Sequence, residues 1–309
     1  MSCTTALKDE LARFDPQKEC CAAAELAAAA RGMGELSLLG GGRFGLTLST
    51  EHEPTALRMA ALCRRLFGFA PDIALISKRQ PRPKRIFSLF LDDAASLDRL
   101  GIGAFPTPLG GFIKDDCCIA SALRGTFLAC GVISDPEKQY LMEFSLSGET
   151  AAEEVVELLA RSGISCSWTE RGEKEIIYIK EFESLVTLTG LMEGYSTLLK
   201  LENARVLKDV RNRINRRTNC DTANIGKTVN ASVQQTDDIL FLSRTCGLSS
   251  LSEPLAQAAR LRLEHSDYSL AELAAAAGIS RSAMNNRLRA LRERAAQMRA
   301  SGVTEPPER

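Results

Sequence analysis

The chain of 309 residues is poor in the side chains that carry most enzymatic chemistry. It holds two histidines, His52 and His265, and one tryptophan, and aromatics make up only 6% of it. Neither histidine stands at ligand spacing from a cysteine, which removes the mixed Cys/His patterns of zinc sites. No stretch approaches the ~20 consecutive apolar residues of a membrane-spanning helix. The opening residues MSCTTALKDELARFD carry charge where a signal peptide would have its apolar core, so a cytoplasmic protein is expected. Net charge is missing too: Lys+Arg is 39 and Asp+Glu is 39. Taken whole, that balance argues neither for a nucleic-acid binder nor for an acidic partner.

Cysteine is the exception to this poverty. Ten are present, at 3, 20, 21, 63, 117, 118, 130, 166, 220 and 246, with no C-x-x-C among them. In a chain that is neither short nor evidently secreted they read as free, mostly buried thiols, not as a disulfide framework or a zinc site. No metal and no cofactor is expected. Catalytic signatures are equally sparse. Gly40-Gly41-Gly42 is not followed by G-K-[S/T] and reads as a hairpin turn, and no G-x-S-x-G occurs. The isolated histidines read as surface or packing residues, and Cys130 as a buried helix-interface thiol. No catalytic residue is expected.

An internal repeat organises the first two-thirds. Cys20-Cys21 and Cys117-Cys118 lie 97 residues apart, and from each pair an apolar, small-residue stretch runs to a glycine, Leu26 to Gly34 and Leu123 to Gly131. Each is followed by two strand-like pieces around a turn, ELSLLGGGRFGLTLS and VISDPEKQYLMEFSLS. A helix of period 3.6 comes next, EPTALRMAALCRRLFG or ETAAEEVVELLARSG, closed by glycine. Two further strands and a short closing helix complete each unit. The expected fold is α+β: a tandem pseudo-twofold αββαββα domain over 1–204, with repeats of about 15–112 and 113–204.

The stretches Leu26–Gly34 and Leu123–Gly131 resemble degenerate copies of the LAGLIDADG motif. That resemblance implies two motif helices packed at the pseudo-twofold axis, with Ala27, Ala30, Gly125 and Ala129 permitting close approach. Family nucleases carry an acid at the eighth motif position, where two carboxylates share divalent metal at the scissile phosphate. Here the eighth positions are Met33 and Cys130, and neither holds magnesium. Glu35 follows Gly34 in the first copy, but Val132 occupies the matching place in the second. The resemblance therefore brings the scaffold without the chemistry, and no enzyme is expected.

The last third is chemically different. Residues 203–300 hold sixteen Lys+Arg against nine Asp+Glu, so the neutral whole conceals a basic part and an acidic remainder. The positive charge gathers in 204–217, including Arg211, Arg213, Arg216 and Arg217, and in 280–299, which holds six arginines. Between Ser269 and Leu291 the sequence SLAELAAAAGISRSAMNNRLRAL has the marks of a helix-turn-helix. Ser269 and Glu272 have capping-box spacing, Gly278 permits the tight turn, Ile279 plugs the angle, and Ser280 caps the second helix. Met284, Leu288 and Leu291 share a buried face at i, i+4, i+7, and the opposite face displays Ser282, Asn285, Asn286 and Arg289. Asparagine pairs with adenine and arginine with guanine in a major groove, while Ser280, Arg281, Arg287 and Arg292 flank that face and suit phosphates. Double-stranded DNA is the expected partner.

Between the two parts runs an Asn/Arg-rich connector, 205–238, in which Ile225, Val229 and Val233 at i, i+4, i+8 predict a helix packed on a neighbour. The expected helix-turn-helix domain is 239–300, with a tail over 301–309. The connector, together with LRLEHSDYSLAEL, resembles the WhiA family across the whole chain. The resemblance implies a bacterial, nucleoid-associated, sequence-specific DNA-binding protein that regulates transcription and affects cell division, chromosome segregation or sporulation, possessing no nuclease activity. The acidic scaffold is expected to serve a protein partner in that regulation, or a supplementary DNA grip through its sheet. Two other readings stay open: a metal-dependent LAGLIDADG-type endonuclease, and an interaction scaffold whose DNA contact is incidental.

Overall fold

Leucines at helical spacing make the first element, α1 (Cys3–Arg13), whose Leu7 and Leu11 are fully buried. The computed structural model describes residues 2–78, 84–102 and 107–302, and the described chain divides into two compact units, Met1–Asp209 and Val210–Arg309. The expected tail therefore lies mostly outside the described residues.

The first unit contains the repeat. Its first copy runs α2 (Glu19–Met33), β1 (Gly34–Gly40), β2 (Arg43–Thr50), α3 (Glu53–Phe67), β3 (Ile73–Lys78), β4 (Lys84–Leu91) and α4 (Ala94–Arg99). The second runs α5 (Asp116–Cys130), β5 (Gly131–Ile133), β6 (Met142–Leu146), α6 (Glu149–Arg161), β7 (Ser167–Arg171), β8 (Lys174–Ile179) and α7 (Phe182–Leu191). The αββαββα order thus occurs twice, as the sequence predicts, with α1 added in front. Each copy forms one antiparallel sheet, ordered β1-β2-β4-β3 and β5-β6-β8-β7, the same topology twice. Alternation sets the buried faces: Leu46 pairs with Leu91, Leu48 with Leu89, and Phe144 with Ile177, all turned to the core. The first hairpin turns on Gly41 and Gly42, both with positive φ. The second uses Asp135, whose carboxylate accepts from the Glu137 amide at 3.0 Å.

The centre of the unit is the pair α2 and α5. Ala27 and Ala30 are buried, and a Cβ on Gly125 would stand 2.1 Å from the Glu25 carbonyl oxygen. A Cβ on Gly32 would likewise meet that of Ala129 at 2.8 Å. Small residues therefore let the two backbones touch, as the motif resemblance implies. A charge cluster lies in the same seam. Glu25, 0% exposed, accepts from Arg58 Nε at 2.8 Å and Nη2 at 3.2 Å, and from Arg124 Nε at 3.2 Å. Arg124 also donates to the Met192 carbonyl (3.1 Å) and Ser121 Oγ (3.0 Å), and lies 4.1 Å over the Phe14 ring.

One long helix, α8 (Tyr195–Thr245), follows. Glu10 caps its start, accepting from the Ser196 and Thr197 amides at 2.6 and 3.2 Å, the favoured sign at a helix N-terminus. Segment 205–238 is helical throughout, as part of α8. The predicted packing of Ile225, Val229 and Val233 is not found: they are 64%, 53% and 54% exposed. Their spacing reported helical period correctly, but the next elements cover this helix only from Ser232 onward. No described helix is long and apolar enough to cross a membrane.

The second unit adds α9 (Glu253–Glu264), α10 (Leu270–Ala276) and α11 (Arg281–Ala300) to the end of α8. Ile239, Leu242, Ala258, Leu273, Met284, Leu288 and Leu291 form its core.

Truncating Glu25 would leave buried Arg124 without its carboxylate and Arg58 with only the exposed Asp15 at 3.7 Å, and loss of one partner from such a cluster costs about 3–5 kcal/mol. Glu25→Ala should lower the chain's unfolding temperature sharply, and denaturant unfolding followed by circular dichroism should show a loss of that size. A near-neutral substitution would show that the cluster does not hold the seam.

Candidate nucleic-acid interface

Capping chemistry fixes where α10 and α11 begin. The Ser269 amide donates to Glu272 at 2.7 Å, while the Glu272 amide donates to Ser269 Oγ at 3.4 Å, a complete capping box. Gly278 has φ +65°, the left-handed conformation that turns the chain between the helices. Ser280 Oγ then accepts from the Ala283 amide at 3.2 Å and starts α11. Met284, Leu288, Leu291 and also Ala295 are buried on its inner face, and Ile279 packs half-buried at the bend.

The outer face carries what the sequence placed there. Ser282, Asn285, Asn286 and Arg289 are all exposed. Ser282 and both asparagines have no side-chain partner among the described residues, so their polar groups are free to bond elsewhere. Arg289 lies 3.5 Å from Glu293, one turn on, in an exposed pair of little strength. Arg281 and Arg292 are exposed on the flank. Arg287 differs: it is half-buried and donates to Gln257 Oε1 of α9 at 3.0 Å. It ties α11 to α9, leaving less of its fork for an outside ligand.

The second basic group sits on α8, where residues 211–231 are exposed all round. At 100° per residue, Arg213, Arg216 and Arg217 share one arc of the helix, and Arg211 lies on the other side. Arg216 is roughly 24 Å along the helix axis from Ser232, at 1.5 Å per residue. The two basic groups therefore do not form one patch around the turn.

Sequence reasoning missed the residue that aims the helix-turn-helix. Arg262, 3% exposed, donates from Nη1 to the Tyr268 carbonyl at 2.7 Å, Ser232 Oγ at 3.3 Å and the His265 carbonyl at 3.4 Å. Burial lowers its pKa. One guanidinium thus binds α8, α9 and the segment leading into α10. The available signal was its position at i+4 from buried Ala258, on the apolar face of α9. At the far end of α11, Arg299 donates to Asp238 at 2.5 Å and covers the Phe241 ring.

In the first unit, Met33 and Cys130 stand at the carboxy-terminal ends of α2 and α5. Burial pushes the Cys130 thiol up to about 11, which favours its neutral form, and a thiol is not the oxygen donor a hard metal takes. Glu35 is exposed on β1. Glu154 is paired with Arg31 at 3.2 Å and accepts from the Leu109 amide at 2.7 Å. His52 leads into α3, bonded to Thr55 (2.9 Å) and Asp9 (3.1 Å), and His265 stacks on Tyr268 with ring centroids 4.3 Å apart.

Three family models match this chain: the WhiA N-terminal LAGLIDADG-like domain over 19–102, the WhiA LAGLIDADG-like domain over 119–211, and the WhiA C-terminal HTH domain over 214–295. The chain belongs to the WhiA family. WhiA relatives agree along the full length. The protein named probable cell division protein WhiA in Desulforamulus reducens is 34% identical over 312 residues, covering 97% of each chain. Its namesake in Heliobacterium modesticaldum is 36% identical over 302 residues, covering 94% of this chain and 95% of its own. The crystal structure of full-length WhiA from Thermatoga maritima matches with a TM-score of 0.58 at 21% identity, over 95% of this chain and 97% of that one. These matches place a LAGLIDADG-like scaffold and a helix-turn-helix domain in one chain, as the WhiA resemblance implies.

Glu272 supplies a check on the capping box. The Ser269 amide and hydroxyl bonded to its carboxylate hold it below the usual glutamate range. A depressed pKa contributes stability that is fully present above the ordinary glutamate value and is lost as pH falls through the lowered one. The stability difference between the parent and Glu272→Gln should therefore shrink as pH is lowered through that interval. Thermal unfolding across pH checks it, and a gap that does not change would show that the carboxylate's charge is irrelevant to the cap.

Proposed function

We propose that this WhiA-family chain is a sequence-specific, double-stranded-DNA-binding regulator of transcription, without nuclease activity, in the bacterial cytoplasm and associated with the nucleoid. The observation that carries this reading is the outer face of α11, where Ser282, Asn285, Asn286 and Arg289 project opposite a buried Met284–Leu288–Leu291 stripe. Bidentate amide and guanidinium groups on one helix face match base edges in a major groove. Ser280, Arg281 and Arg292 at the rim take phosphates, and Arg287 contributes what its bond to Gln257 leaves over. Arg213, Arg216 and Arg217, on one arc of α8, hold backbone farther along the duplex, whereas Arg211, on the other side of the helix, is not aimed with them.

The domain reading that goes with this is a scaffold over 1–204, a helical connector over 205–238 and a DNA-reading module over 239–300. The relatives' names point to cell division, and the proposed targets are promoters whose products act in division, chromosome segregation or sporulation. The scaffold serves a protein partner in that regulation. Its loss of cleavage rests on Met33 and Cys130 standing where a nuclease of this fold needs metal-binding carboxylates.

Sequencing the DNA that co-purifies with the chain from cells should return a small set of promoter fragments sharing a motif. On such a fragment, Arg289→Ala should lose roughly 1–3 kcal/mol and relax base preference at one position. Arg216→Ala should weaken all sequences alike and lower the salt slope by about one. Parent-like binding by both variants would overturn the assignment of these faces. Supercoiled plasmid should stay intact with magnesium or manganese, and metal-dependent nicking that tracks the purified chain would restore the nuclease reading.

A further inference from the structure

The two cysteine pairs that the repeat spaces 97 residues apart meet in space. Cys20 and Cys21 are the second and third residues of α2, and Cys117 and Cys118 are the second and third of α5. The Sγ atoms of Cys20, Cys21 and Cys118 all lie within 4.8 Å of one another, and Cys117 Sγ is 3.4 Å from that of Cys21. In a tetrahedral zinc–thiolate centre, with Zn–S about 2.3 Å, neighbouring sulfurs are about 3.8 Å apart. The three grouped sulfurs lie close enough to share one ion, and Cys117, beside Cys21 but not within 4.8 Å of all three, completes the set by a side-chain rotation.

We propose that these four cysteines form a binding site for a soft divalent cation, zinc in the first instance, which clamps the amino-terminal ends of the two motif helices. Thiolate sets of this kind select zinc over hard cations such as magnesium. Cys21 and Cys118 are 5% and 0% exposed, so a bound ion is shielded from water. Cys20 is half-buried and lines an open pocket of about 330 Å³ with Glu19, Ala23, Phe112 and Lys114, which gives the ion a way in. A tetrathiolate zinc centre carries two negative charges. Two helix N-termini face it, each with partial positive charge, and Lys18 stands at the same end, paired with Asp115 at 3.1 Å. Loading replaces four S–H bonds with four S–Zn bonds, releases four protons and moves no electrons, so no oxidant is involved. All ten cysteines are free thiols in this structure. The site departs from the sequence expectation that these cysteines are inert. The cysteines stand 12 to 13 residues before Met33 and Cys130, so the cluster lies roughly 18–20 Å from that end, where nucleases of the fold hold hard metals. It does not depend on the DNA-binding reading.

The test uses the full chain, purified without oxygen under a phosphine reductant, stripped with a chelator and titrated with cobalt(II). One equivalent should bind with sulfur-to-cobalt charge-transfer and tetrahedral ligand-field absorption, and one equivalent of zinc should bleach both. Zinc should also raise the unfolding temperature. Cys118→Ser should abolish the absorption, whereas Cys220→Ser, at an exposed position on α8, should leave it unchanged. If Cys118→Ser does not fold by circular dichroism, Cys20→Ser at the pocket mouth replaces it, with zinc affinity expected to drop by roughly tenfold or more. Absent cobalt bands in a parent chain whose thiols all titrate would overturn the site. So would equal behaviour of the cluster variants and Cys220→Ser.

Discussion

The first unit depends on the contact of Gly125 with the backbone of Glu25. An α-helix pair ordinarily keeps 8–10 Å between axes because side chains intervene. Here even a single Cβ on Gly125 would reach to 2.1 Å of a carbonyl oxygen. At that point of contact no large side chain fits between the helices, and α2 is rich in alanine along the face it turns to α5. The close approach also explains the arginines. A seam lined with small residues buries little apolar volume, and Glu25 with Arg58 and Arg124 ties it by directional bonds instead. The cluster is asymmetric: under the 97-residue offset, Glu25 corresponds to Ala122 and Arg124 to Ala27. The two copies keep one fold while a charge cluster distinguishes them.

The two ends of this helix pair follow different chemistry from the same geometry. Toward the carboxy-terminal ends Gly32 packs against Ala129, and the flanking Met33 and Cys130 offer no hard oxygen ligand. At the amino-terminal ends the same twofold relation superposes whatever residue pair the sequence supplies, and it supplies cysteines. A repeat makes sites in duplicate, so two ligands written once in each copy become four where the copies meet. This is how a chain with no C-x-x-C assembles a cluster of thiols. The pattern is invisible to any search for local spacing, because the spacing that matters is the repeat length.

What was legible in the sequence divides along that line. Features set by local backbone rules could be read directly: the capping serines 269 and 280, the turn at Gly278, the Met284–Leu288–Leu291 stripe and the double αββαββα order. Features set by contacts across the chain could not. Ile225, Val229 and Val233 reported helical period and nothing about a neighbour, and the helix is bare there. Arg262 carries no local sign of its partners, yet it is buried because acceptors from α8 and from the α9–α10 connection converge on it. Arg287 shares its helix with freely exposed arginines and differs only because Gln257 stands across from it.

The balanced charge of the whole chain has the same character. Equal totals of 39 and 39 arise because an acidic scaffold and a basic carboxy-terminal third cancel. A single neutral surface would associate weakly with DNA anywhere, whereas segregated charge concentrates positive potential on α8 and α11 and keeps it off the scaffold. Within that basic part the charge is divided again. Arg281, Arg289 and Arg292 accompany the asparagines on α11, and Arg213, Arg216 and Arg217 lie farther along α8. A helix that reads bases needs few charges near the reading face, since phosphate attraction adds affinity at every sequence equally. In the DNA-binding arrangement proposed above, phosphate attraction placed on α8 would add to binding without competing for the groove. The exposed, polar middle of α8 is then what such an arrangement requires: a spacer that stays helical without burying a face.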